Sequence, residues 1–199
     1  RILSSADIAT LDAAGVKQVI VARLQPDDVG EDQAAAALAA AVLGEGRGLT
    51  LTTPFTGRVN LLAKGPGVVR MDVAALEEVN SIDPMITIAT VPPFAQMAAG
   101  GMVATIKIIS YAVEKQKLAR AVAAAGQGAI SLQAPALRTA TLIITEISGG
   151  PGDKGSKAIA DRLEALDVAL ENVVMVRHEQ IALCNALQES QSDLVLVLT

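Results

Sequence analysis

The sequence predicts an α/β protein: an N-terminal mixed α+β unit, residues 1–132, followed by a parallel-sheet α/β domain, residues 133–199. Three observations lead there. Between residues 49 and 113, short β-type runs are punctuated by Gly and Pro with a single helical interruption. After residue 136 the pattern becomes β-α-β-α-β, which implies parallel strands joined by right-handed crossovers. The composition is 51% hydrophobic but only 2% aromatic, so any core must be aliphatic, built from Ala, Val, Leu and Ile.

The elements follow in order. "SSADIATLDAAGVKQVIVARL" opens with Ser and Asp capping signals before a short helix, Gly15 stops it, and "VKQVIVARL" reads as a strand. "PDDVGEDQAAAALAAAVLG" places Pro26 and acidic residues ahead of an Ala-rich helix that Gly44 closes, a charge placement that suits the helix dipole. "LTLTTPFTGRVNLLA", "GVVRMD", "MITIATV" and "MVATIKIISYAV" are β-type runs, with the helix "VAALEEVNSID" between them. The last run alternates as a half-buried strand does, turning Lys107 to solvent. A helix, "EKQKLARAVAAAG", then leads to the Gly- and Pro-punctuated "QGAISLQAP", where the domain boundary is placed. Beyond it come strand "RTATLIITEI", helix "DKGSKAIADRLEAL", strand "ENVVMVRH", helix "EQIALCNALQES" and strand "DLVLVLT".

Charge and cysteine content narrow the function classes. With 199 residues and a net charge of -5, the chain lacks the broad basic footprint that nucleic acid requires. Its most apolar run, "AAAALAAAVL", is too short and too Ala-rich to span a bilayer, and a reducing cytoplasm is the expected setting. Cys184 is the only cysteine, so no internal disulfide forms. It shares helical spacing with Ile181 and Leu187, and is expected to be a buried, unreactive thiol. The chain begins at Arg1 rather than Met and stops in a strand-like run, the form expected of a fragment.

The chemistry concentrates in "TEISGGPGDKGSKAIADRLEAL", residues 145–166. In open α/β sheets ligands collect beyond the carboxyl ends of the strands, where loops meet helix N-termini, and this stretch occupies that position. Gly149, Gly150 and Gly152 allow backbone conformations that a Cβ forbids. The N–H groups of the following helix attract an anion, and Lys154 and Ser156 add a cation and a hydroxyl. The pattern is neither G-x-x-x-x-G-K-[ST] nor G-x-G-x-x-G. The competing reading is a surface connection with Asp153 or Ser156 as helix cap.

Residues 145–199 also resemble the front half of the three-layer molybdopterin-binding domain shared by MogA- and MoeA-type molybdenum-cofactor proteins. Asp153-Lys154-Gly155 is similar to the family's helix-opening element, "HEQIALCNAL" to its "DEQ" segment, and "DLVLVLT" to the strand that enters its Gly-Gly-Thr ligand loop. "DVGEDQAA", "PFTGRVNLLA" and "VNSIDPMITIATVPPFAQMAAGGMVATIKIISYAV" resemble bacterial proteins that carry this domain, often fused to a nucleotidyltransferase. The resemblance implies a truncated molybdopterin-binding domain acting in molybdenum-cofactor biosynthesis, with a pterin phosphate as ligand.

It points to Thr145, Glu146, Gly149, Gly150, Asp153, Lys154 and Ser156 as ligand-binding residues, with no catalytic residue and no metal ligand. Glu146 could hydrogen-bond a pterin ring or cap the neighbouring loop. Thr145-Glu146 stands where the family has Ser-Asp or Thr-Gly-x-Glu, and His178 stands where adenylylating members carry an acid. A neutral imidazole is a poor Mg²⁺ ligand, so Mg²⁺ is expected only with residues beyond Thr199. Binding is therefore the expected role. The alternatives are an adenylyl-transfer or molybdate-insertion enzyme of the same pathway, and a non-catalytic, homo-oligomerising scaffold.

Overall fold

Leu38 lies at the centre of one face of an Ala-rich helix whose Ala34, Ala35, Ala39 and Val42 are buried with it. Side chains this small let strands approach the helix closely, and the N-terminal unit is arranged around that contact. The computed structural model describes residues 3–149 and 152–199. In chain order the elements up to residue 133 are α1 (Ser5–Ala13), β1 (Asp28–Gly30), α2 (Glu31–Leu43), β2 (Leu49–Leu51), β3 (Arg58–Ala63), β4 (Gly67–Met71), α3 (Val73–Ile82), β5 (Ile86–Thr90), β6 (Gln96–Met97), β7 (Met102–Ile108), β8 (Ala112–Glu114), α4 (Lys115–Ala125) and β9 (Ile130–Gln133). Then follow β10 (Thr139–Glu146), a 3-10 turn (Gly152–Gly155), α5 (Ser156–Glu164), β11 (Ala169–Arg177), α6 (Gln180–Glu189) and β12 (Leu194–Leu198). The protein is thus mixed α/β, with six helices and several sheets among the described residues. Among the described residues no helix is long and apolar enough to cross a membrane.

The largest sheet runs β2-β3-β7-β5, antiparallel throughout. Smaller sheets, β6-β4-β9 and β1-β8, flank it. One aliphatic cluster joins α2, α3 and α4 to the inner faces of these strands, with Leu49, Leu61, Ile86, Ile106, Ile108 and Ile130 buried in it. Polar groups tie the periphery. Asp83, which ends α3, is nearly buried and accepts a hydrogen bond from the Met85 N–H at 2.7 Å. The Lys117 ammonium of α4, 2.9 Å away, holds the Asp83 carboxyl below the usual carboxylate range.

A second cluster gathers Ala140, Leu163 and Val168 with Ile159, Leu170, Leu194 and Leu196. Here the sheet order is β11-β10-β12 and both pairings are parallel, as the alternating pattern implies. The amino edge of this sheet is clipped by Asp193. Its carboxylate accepts the Arg138 N–H at 2.7 Å and the Thr139 N–H at 3.2 Å, while its own N–H donates to Thr139 Oγ1. Those donors hold the Asp193 carboxyl below its ordinary value. A group depressed on folding contributes stability above its unfolded pKa and loses it as pH falls through the folded one. Acidification below the ordinary carboxylate range is therefore expected to release the Arg138 and Thr139 amides to exchange, and Asp193→Asn to remove that pH dependence. Amide hydrogen exchange across an acid series checks it.

Three expectations are corrected. "VKQVIVARL" forms no strand: residues 16–24 are exposed and join no sheet, Ile20 being 97% exposed. A strand needs a ladder partner, and β propensity alone does not provide one. "LTLTTPFTGRVNLLA" is not one run but a hairpin, β2 and β3 turning at Thr56 and Gly57, both at positive φ. Finally, Cys184 is exposed, not buried. Helix α6 carries two apolar stripes, and it turns Ala182, Leu183 and Ala186 towards the sheet rather than Ile181 and Cys184. A thiol reagent is expected to modify the native protein about as fast as the unfolded chain. Protection of the thiol by more than about tenfold in an Ellman assay would contradict the exposed placement.

Candidate functional site

Strand β10 enters the site region as a buried ribbon: residues 140–145 are all buried. Both faces are covered because its two connections run in opposite directions. The chain leaves β10 through α5 to reach β11 on one side, then returns through α6 to β12 on the other. Right-handed crossovers place those two helices on opposite faces of the sheet. The exit loops of the neighbouring strands β10 and β11 therefore diverge, the arrangement above whose carboxyl ends open α/β sheets bind ligands.

At that point three of the residues singled out by the sequence meet. Thr145, 6% exposed, shares a 2.9 Å hydrogen bond between its Oγ1 and His178 Nδ1. The His178 N–H donates to the Glu146 carbonyl at 3.3 Å. The Glu146 side chain is left exposed at the end of β10. The sole histidine is thus tied to the end of β10 by both backbone and side chain. Arg177, the last residue of β11, lies in register with Glu146. Sequence reasoning passed over it; the available signal was its place at the end of the second strand, level with the end of the first.

The loop beyond β10 returns through the 3-10 turn, which packs against β10. Gly149 has φ +78 and open space around it, so its conformation, not crowding, calls for glycine. Gly150 lies outside the described residues. Asp153 and Lys154 are within the turn, and the Lys154 side chain is exposed. The N-cap position of α5 falls to Gly155, so Asp153 and Ser156 do not occupy it; Ser156 opens the helix and is half-buried. A Cβ at Gly155 would stand 2.6 Å from Leu198 Cδ2, so this glycine lets the turn settle against the end of β12.

Chemically, the end of β10 joins a threonine hydroxyl to an imidazole, with the exposed Glu146 in register with Arg177 and with Lys154 in the turn that packs against the strand. This set suits an anionic ligand with hydrogen-bonding edges. Among the described residues no three His, Cys, Asp or Glu side chains gather where they could hold a metal ion. Two shallow surface depressions lie elsewhere. One is at the amino ends of β10 and β11, lined by Arg138, Ala160, Glu164, Asp167 and Leu170; the other lies between α1 and residues 16–19. No family model, curated protein or solved structure matches this chain.

Proposed function

We propose that residues 133–199 are the front half of a molybdopterin-binding domain and that the protein acts in molybdenum-cofactor biosynthesis as a binding module. The observation that carries the reading is the joining of Thr145, Glu146 and His178 where the exits of two parallel strands diverge, beside a glycine-rich turn that opens a helix. The resemblance in residues 145–199 supports the same assignment. In this reading the α5 N–H groups and Lys154 hold the ligand's phosphate, and Ser156 donates beside them. Gly149 and Gly150 let the backbone approach. Glu146 accepts from the pterin edge, Thr145 with His178 forms a fixed floor, and Asp153 shapes the turn.

The adenylyl-transfer or molybdate-insertion alternative needs several acidic groups to hold Mg²⁺ at this edge, where Glu146 is joined by His178 and Arg177 rather than by further acids. The scaffold alternative draws on a different observation. Val173, Val174 and Met175 on the edge strand β11, with Ile181 and Leu187 on α6, are all exposed. Failure to bind any pterin together with clear self-association would favour it.

Calorimetry with molybdopterin tests the binding reading. Lys154→Ala is expected to weaken binding about two- to fivefold at low salt, the effect of one exposed cation. The difference should shrink as ionic strength rises and the charge is screened. Equal affinities at low salt would reduce residues 145–156 to a connection.

A further inference from the structure

At the end of the large sheet where β3 begins and β7 ends, four residues lie in one row. Phe55 is opposite Arg58, Arg58 opposite Lys107, and Lys107 opposite Thr87. Residues directly opposite in antiparallel ladders carry their side chains on the same face, with Cβ atoms about 4.5–5.5 Å apart. Here that face is the outer one. The adjoining row, Val59, Ile106 and Ile88, is buried on the inner face. The next outward row is polar, with Thr105 Oγ1 donating to Asn60 Oδ1 at 2.7 Å.

Three features mark this row. Like charges directly opposite one another destabilise a sheet, yet Arg58 faces Lys107. Neither makes an ion pair among the described residues. The nearby carboxylates, Glu31 and Asp32, begin α2, which covers the opposite face, and Asp32 Oδ1 is occupied by the Gly57 N–H at 2.7 Å. The turn holding the row is strained as well, because a two-residue hairpin sets both central residues, Thr56 and Gly57, at positive φ. Thr56 has φ +48, an outlier conformation for a β-branched residue, and its carbonyl accepts the Lys107 ammonium. Finally, the Phe55 ring is 74% exposed at the end of the row, and Tyr111, just past β7, is 68% exposed.

We propose that this row is a binding site, separate from the carboxyl end of β10, for a phosphomonoester of a flat heteroaromatic compound. The phosphate sits over Arg58 and Lys107, where its charge removes their repulsion, and guanidinium and ammonium donate to its oxygens. The ring lies on the exposed face of Phe55, whose stacking tolerates any planar heterocycle. The strained turn sets Phe55 beside the two cations before the ligand arrives. The site does not depend on the molybdopterin reading.

Titration of the 199-residue chain with GMP and with inorganic phosphate, followed by amide NMR, tests it. Both probes are expected to shift the amides of residues 55–58 and 105–107, with GMP binding about tenfold more tightly because its ring stacks. Phe55→Leu should abolish that preference and leave phosphate binding as it was. Arg58→Gln should weaken both probes about tenfold without lowering the melting temperature, since it removes one of two opposed charges; an arginine with only a structural role would lower it. Lys107→Arg should retain binding that Lys107→Gln loses. The proposal is overturned if neither probe shifts the row, if shifts are confined to residues 145–156 and 177–179, or if Arg58→Gln binds GMP like wild type.

Discussion

Replacing Leu38 by Ala is expected to destabilise the N-terminal unit by about 2–5 kcal/mol, the range for truncating a fully buried leucine. Leu38 is 0% exposed, and its neighbours on α2 are alanines and a valine. Small side chains cannot swing into the space that the leucine leaves, so the cavity stays open and the cost should fall in the upper part of that range. The effect is also expected to be local. The aliphatic cluster around Leu38 takes its residues from 29–132, whereas that of the parallel sheet takes its residues from 140–196. Amide exchange in β3 and β7 should therefore accelerate strongly in Leu38→Ala, with exchange in β10 little changed. Equal acceleration in both would show that the two clusters unfold as one, and that the proposed division between residues 132 and 133 has no energetic meaning.

Gly57→Ala should have an effect of similar size, roughly 2–4 kcal/mol, by a different route. Gly57 has φ +69, and an added Cβ would stand 2.6 Å from the Ile108 carbonyl oxygen. That oxygen belongs to the backbone of β7 and cannot rotate away. The glycine backbone is committed on both sides, its N–H to Asp32 Oδ1 at 2.7 Å and its carbonyl to the Ile108 N–H at 2.8 Å. Relief by shifting the turn would break one bond or the other. Urea denaturation of the variant checks the magnitude. A loss below about 0.5 kcal/mol, typical of a surface substitution, would mean that the turn is more adaptable than its contacts indicate.

Much of the architecture was legible because it rests on local regularities. The β-α-β-α-β order after residue 136 follows from hydrophobic period and Gly/Pro punctuation, and the chirality of crossovers then leaves few topologies. The helix starts and stops were equally readable: Ser4 caps α1 with Asp7 in a reciprocal box, and Gly44 ends α2. Within the candidate site, the placement of Thr145 and Glu146 at a strand end and of Lys154 at a helix entry could be read from order alone.

What the sequence by itself determined, then, is which segments have the period of a helix or strand and where the chain turns. What only the tertiary structure decided is which partner each segment finds. Residues 16–24 have a strand's composition but no ladder to join, since a strand exists only through hydrogen bonds to a neighbour. Cys184 shares its spacing with two apolar residues, yet helix α6 presents another stripe to the sheet, because periodicity names a face without saying which way it turns. The bond between Thr145 and His178, and the row from Phe55 to Thr87, join residues far apart in the chain. Register across strands brings them together, and register is set by packing and by the ladders, not by any local pattern.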